Sequence, residues 1–210
     1  MGFFAVIIII LIFVTYGISI ANDNYHTEDV SEKILEEYGQ PLETLFLQTE
    51  ILTIHQRSSI TDISGNIRYN IETDFPSMHD HTSIYDDEGN LVSEFSCTLF
   101  SMHDRHTITM SNGTSFDLTS ELFHMFTTVM NIDELGWRME GDFVNLNFSI
   151  KDSHDRLIAV ICQKMFSMHD RYCIDIYDPC YINETVTVVT VLQHILRRRQ
   201  QNASSTNSAS

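Results

Sequence analysis

From about residue 50 onward, apolar and polar side chains alternate one for one in runs of six to ten residues, each stopped by Gly, Asn or Asp. Successive side chains of a strand point to opposite faces, so each run offers one apolar face and one polar face. Ile51, Leu52 and Ile54 open the first run, and Ile67, Tyr69 and Ile71 alternate after the turn Ser64-Gly65-Asn66. Ile84-Tyr85 and Leu91-Val92 flank Asp86-Asp87-Glu88-Gly89-Asn90, and Thr107-Ile108-Thr109-Met110 leads into Ser111-Asn112-Gly113. The pattern returns at Arg138 to Phe143 and at Ser149 to Ile158. Gly, Asn and Asp are the residues that tight hairpins require. The links are too short for crossover helices, so the strands are antiparallel and the domain is all-β. Closure into a barrel would remove the exposed edges.

One segment departs from this pattern. Thr185 to Leu196 is almost wholly apolar and runs into Arg197-Arg198-Arg199. Its β-branched residues favour a strand. Its length and basic end favour a helix, since cations stabilise a helix C-terminus. Upstream, Thr27 to Tyr38 reads as a capped short helix stopped by Gly39 and Pro41. The layout is a leader at 1–21, an acidic segment at 22–49, one domain at 50–199 and a Ser- and Asn-rich disordered tail at 200–210.

Phe3 to Ile20 carries no charge, and Ser19-Ile20-Ala21 supplies the small residues that signal peptidase needs. The expectation is cleavage after Ala21 and secretion, with an uncleaved N-terminal anchor as the alternative. Export makes four N-x-[ST] sequons meaningful, at Asn112, Asn147, Asn183 and Asn202. Asn112 is the best placed, in a hairpin turn. It also permits disulfides among Cys97, Cys162, Cys173 and Cys180. Cys162 and Cys173 lie on successive strands, which makes that pairing geometrically easy; small buried thiols are the other reading.

Charge excludes some partners. The 210 residues hold 12 basic and 29 acidic side chains, a formal charge of -17. Nucleic acid is excluded because phosphate binding needs clustered Lys and Arg, and an anionic bilayer surface is disfavoured on the same ground. A hydrophobic content of 43% separates the chain from disordered acidic tails.

The strongest motif is a repeat. Ser-Met-His-Asp occurs three times, ending at Asp80, Asp104 and Asp170. His79, His103 and His169 with Asp80, Asp104 and Asp170 have ligand types suited to a first-row metal. Adjacent strand residues diverge, so the blander reading is a strand-end turn held by Asp. Together with Gly136-Trp137-Arg138-Met139-Glu140-Gly141-Asp142-Phe143 and Lys164-Met165-Phe166-Ser167, these segments resemble the LURP-one-related family, which shares the Tubby C-terminal-like fold with phospholipid scramblases. The resemblance covers roughly residues 50 to 197. It implies a closed antiparallel β-barrel of about twelve strands around a central hydrophobic C-terminal helix, with 185–196 as the plug.

No G-x-S-x-G elbow, HExxH helix or P-loop occurs. Trp137 reads as core packing. The functional expectation is a non-enzymatic protein without a cofactor that binds a lipid, a small apolar ligand or a protein partner. A scramblase-type lipid-interacting protein and a metal protein built on the repeats are the alternatives.

Overall fold

The computed structural model describes residues 34–49, 57–74, 79–98, 105–119, 129–142, 147–164 and 171–207. Backbone contacts divide the chain into two units, 1–40 and 41–210. In the first, helix α1 spans 34–38. Gly39 ends it as expected, at φ +79° with its N–H on the Leu35 carbonyl. A left-handed residue just past the last turn is the usual helix stop. The apolar run Phe3 to Ile20 lies outside the described residues.

Among the described residues, the second unit is all-β with one terminal helix. Its strands are β1 (Glu43–Thr49), β2 (Arg57–Asp62), β3 (Ile67–Asp74), β4 (His79–Asp86), β5 (Leu91–Thr98) and β6 (Arg105–Met110). They continue with β7 (Ser115–Thr119), β8 (Val129–Ile132), β9 (Trp137–Asp142), β10 (Asn147–Asp152), β11 (Leu157–Lys164) and β12 (Arg171–Ile176). All twelve form one sheet in the order β7-β6-β5-β4-β3-β2-β1-β12-β11-β10-β9-β8. The ladder leaves β7 and β8 as its two edges, so the barrel is nearly closed. β1 lies inside the acidic segment 22–49, outside the domain bounds expected from sequence, so the sheet begins before residue 50. The run Ile51 to Ile54 lies outside the described residues.

Four hairpins share one turn geometry. In each, the first turn residue donates to the carbonyl four positions on, as Asp62 to Asn66, Asp86 to Asn90, Met110 to Thr114 and Asp152 to Arg156. The fourth residue has positive φ and is Gly65, Gly89 or Gly113 in three turns and Asp155 (φ +64°) in the other. Asp is among the few side chains that tolerate this region, because its short carboxylate bonds locally.

Helix α2 (Ile182–Asn207) follows a single 3-10 turn, Pro179–Tyr181. Each of the eight residues from Thr185 to Leu192 is at most 4% exposed. Eight consecutive residues cover more than two helical turns, so every face of this stretch is buried. The barrel wall therefore surrounds it. Val186, Val189 and Leu192 share a core with the inward residues of the strands, such as Leu45, Ile60, Ile108, Met139 and Ile174.

This resolves the helix–strand ambiguity physically. A strand at the centre would leave its backbone groups unpaired in an apolar lumen, whereas a helix satisfies them internally. The threonines fit for the same reason. Thr187 Oγ1 donates to the Asn183 carbonyl at 2.7 Å and Thr190 Oγ1 to the Val186 carbonyl at 2.8 Å. Such back-bonding to the preceding turn meets the hydroxyl's need without the wall. The helix also runs on to Asn207, which corrects the expectation of a disordered tail from residue 200 and places Arg197-Arg198-Arg199 within the helix. Gln200 to Asn207 contain no Gly or Pro, and extending an existing helix avoids the cost of nucleation.

Candidate functional site

The lumen comes first, because barrels commonly hold ligands there. Here α2 and the inward side chains occupy it. Ser93 and Thr187 hydroxyls meet across the wall–helix boundary at 2.8 Å. Tyr69 donates its hydroxyl to Asn183 Oδ1 at 2.9 Å, and burial raises its pKa to about 12. Near the other end of the buried stretch, Phe95, His106 and His194 pack edge to face, with ring centroids 5.8–6.3 Å apart. Trp137 is a core residue, as expected, and stacks edge-on against Tyr181 at 5.8 Å.

The two ends of the barrel differ. Every neighbouring pair of strands is antiparallel, so successive connections alternate between the ends. The strand ends bordering the connections that carry the Ser-Met-His-Asp copies are Asp74 and His79, Thr98 and Arg105, and Lys164 and Arg171. All six fall at one end. His79 and Asp80 are consecutive positions of β4, paired with Thr98 and Cys97. His103, Asp104, His169 and Asp170 lie outside the described residues.

The four hairpin turns crowd the opposite end. Asp62 Oδ1 accepts the Ser64 and Asn66 N–H groups, Asp86 Oδ1 those of Glu88 and Asn90, and Asp152 Oδ1 those of His154 and Arg156. Hydrogen bonds to the charged form hold all three carboxyls below the usual carboxylate range. The largest cause is the Asn66 side chain for Asp62, the Asn90 side chain for Asp86 and the Arg156 backbone for Asp152. Four exposed aliphatic residues share this end: Leu42 before β1, Ile63 in the β2–β3 turn, Ile67 opening β3 and Leu91 opening β5. Adjacent strands lie about 4.8 Å apart, so the group spans roughly 20 Å of rim. Asp62, Asp86, Asp87 and Glu88 belong to the same two turns, where Arg68 pairs with Asp87 at 3.8 Å.

The outer wall carries a third feature. β11 and β12 place Cys162 directly opposite Cys173. Their neighbours Ile161 and Ile174 point into the core, so the two sulfur side chains lie on the outward face, yet both are buried. The structure carries them as thiols. Cys173 Sγ donates to Asp175 Oδ1 at 3.5 Å, and Thr44 Oγ1 donates to the same oxygen at 2.6 Å. Ligand atoms of Cys162, Cys173 and Asp175 all lie within 4.8 Å of one another. Burial, and then the negative charge of Asp175, raises the pKa of the nearby Tyr177. Cys173-Ile174-Asp175 puts Asp175 on the cysteine face by simple alternation, a signal in the sequence that the cysteine pairing alone does not use. Thr44 had no signal, because it arrives from β1, 131 positions away.

Of the sequons, Asn112 is exposed in its turn, with Oδ1 accepting the Thr114 N–H at 2.9 Å. Asn147 opens β10 and is half-buried; Asn183 is exposed in the first turn of α2. Asn202 belongs to the α2 backbone. Among the described residues, no helix is long and apolar enough to cross a membrane.

No curated protein matches the chain. Among solved structures, the chain is similar to a protein from Arabidopsis thaliana at 14% identity, over 75% of this chain and 95% of that one, with a TM-score of 0.44. A protein-family model described as LURP-one-related matches residues 43–193, which runs from the first residue of β1 to just past the buried stretch of α2. Chain and barrel agree in extent, and this protein belongs to the LURP-one-related family.

Proposed function

We propose that this protein is exported and works by binding rather than catalysis, taking an amphiphilic lipid on the outside of its barrel. The observation that carries this reading is the burial of every residue from Thr185 to Leu192, which leaves the lumen to the chain's own helix. A ligand inside would have to displace a plug that packs against the inward face of the wall, so the outer surface is the accessible one. The turn carboxylates support binding over catalysis. Asp62, Asp86 and Asp152 are each committed to two backbone N–H groups, which is structural work.

The rim of Leu42, Ile63, Ile67 and Leu91 is the favoured contact. Scattered single aliphatics on a surface mean little, but several along one edge mark an interaction surface. The carboxylates beside them favour a zwitterionic or cationic head group and repel an anionic one.

Vesicle flotation of the full chain tests this. Phosphatidylcholine vesicles should carry the protein up the gradient, and added phosphatidylserine should weaken capture. Ile63→Asp with Leu42→Asp, both exposed, should lower capture without changing the melting temperature. Absence of capture by either vesicle ends the lipid reading.

A further inference from the structure

We propose that Cys162, Cys173 and Asp175 form a binding site for a thiophilic divalent cation of the zinc class on the outer wall of the barrel, with Thr44 positioning the carboxylate. Sequence pattern suggests a disulfide for these cysteines, but ladder geometry favours a shared ion. Tyr177 N–H donates to the Ile158 carbonyl at 2.9 Å, which puts 158 and 177 at a hydrogen-bonding position in the phase of the ladder. Such pairs recur at every second position of an antiparallel ladder. The β11–β12 register runs unshifted from Ala159↔Ile176 to Lys164↔Arg171. Cys162↔Cys173 is therefore also a hydrogen-bonded pair, the wider kind, with Cα atoms about 5.5 Å apart. Its Cβ atoms sit toward the upper end of about 4.5–5.5 Å. A disulfide holds them within about 3.5–4.5 Å, most often near 3.8 Å. Two thiolates on one tetrahedral zinc, each about 2.3 Å from the ion, stand about 3.8 Å apart at sulfur. That spacing suits side chains reaching across a wide pair, and all three ligand atoms already lie within 4.8 Å of one another.

The surroundings suit a cation. Asp175 supplies a hard oxygen, and its Oδ1 is fixed by Thr44 at 2.6 Å. A hydrogen bond that orients a ligating carboxylate is the usual outer support of a metal ligand. Cys173 is fully buried and Cys162 is 7% exposed, so bulk water competes poorly for the ion. Binding M²⁺ releases one proton from each thiol. Two thiolates and one carboxylate leave the loaded site with a net charge of about -1 and a fourth position for water.

The test uses the full chain, reduced and freed of metal with a chelator, with Co²⁺ as the probe and Zn²⁺ as its competitor. One Co²⁺ should bind per chain with thiolate-to-cobalt charge-transfer absorption, and Zn²⁺ should abolish that signal. Cys162→Ser and Cys173→Ser should each remove it, while Cys180→Ser, in the exposed 3-10 turn, should keep it. Thr44→Val should weaken binding about tenfold or more. On the unmutated protein, Zn²⁺ should slow alkylation of Cys162 and Cys173 but not of Cys180, a readout independent of whether the variants fold. Lack of charge-transfer absorption in the unmutated protein overturns the proposal. So does survival of the absorption in both cysteine variants, or purified protein two hydrogen masses light with Cys162 joined to Cys173.

Discussion

Ser93 Oγ of β5 and Thr187 Oγ1 of α2 lie 2.8 Å apart, a fully buried hydroxyl pair that links the barrel wall to the helix inside it. Thr187 also donates to the Asn183 carbonyl, so the pair closes a short chain of hydrogen bonds in an apolar surround. Removing one member leaves the other buried without its partner. Thr187→Val should therefore cost about 1–3 kcal/mol. The double variant with Ser93→Ala should cost less than the sum of the two singles, because both report the same bond. Urea melts of the four proteins check this, and strict additivity would mean that the pair contributes nothing.

A charge placed in the plug gives a larger effect. Val189 is fully buried. Among the described residues no Lys or Arg belongs to the core, so Val189→Asp puts a carboxylate in the lumen at a cost of several kcal/mol. Thermal melting should fall steeply or the protein should fail to fold. Unchanged melting would mean that the helix does not occupy the barrel.

Gly141 lies in the segment that first suggested the family. It has φ +142°, and a Cβ there would lie 2.6 Å from Phe148 Cα and closer still to the Asn147 carbonyl. These are backbone atoms of the paired strand, so no rotamer change relieves the clash. Gly141→Ala should cost about 3 kcal/mol. Gly136→Ala meets nothing nearer than 4.0 Å and should cost about 1 kcal/mol, from its positive φ alone.

The three turn aspartates set an acid limb of stability. Their folded pKa values are lowered, so each contributes stability that is present above the unfolded value, near pH 4, and is lost as pH falls through the folded value. Melting temperature should decline on acidification below about pH 4. Replacing Asp62, Asp86 and Asp152 with Asn together should flatten that decline. An equally steep decline in the triple variant would assign the acid limb to other carboxylates.

Export predicts processing. Protein secreted by a eukaryotic host should begin at Asn22 and carry a glycan at the exposed Asn112, which Asn112→Gln removes as one discrete mass step. An N-terminus at Met1, or retention in the membrane fraction, would favour the anchored alternative.

The legible parts of the fold were those in which local chemistry and final environment agree. Asp86 to Asn90 announces its turn because the same Asp and Gly serve the isolated hairpin and the finished barrel. β1 was missed because Glu43 and Thr44 blend with the acidic residues before them, and its apolar face is only Leu45 and Leu47. For α2 the side-chain signal points the wrong way: Thr185 to Val191 is β-branched at all seven positions and favours a strand, against its length and basic end, and the family resemblance decides for the helix. The thiol–carboxylate cluster was half legible. Cys162 and Cys173 are close through the β11–β12 hairpin, but Thr44 reaches Asp175 through β1–β12 pairing, which has no local signature.

Hydrogen exchange along α2 tests the plugged barrel most directly. The amides of Val186 to Leu192 should exchange only through global unfolding, with protection that tracks the free energy measured in urea. Protection at the level of a surface helix, lost while the strands stay protected, would show that the lumen empties on its own and would contradict the account.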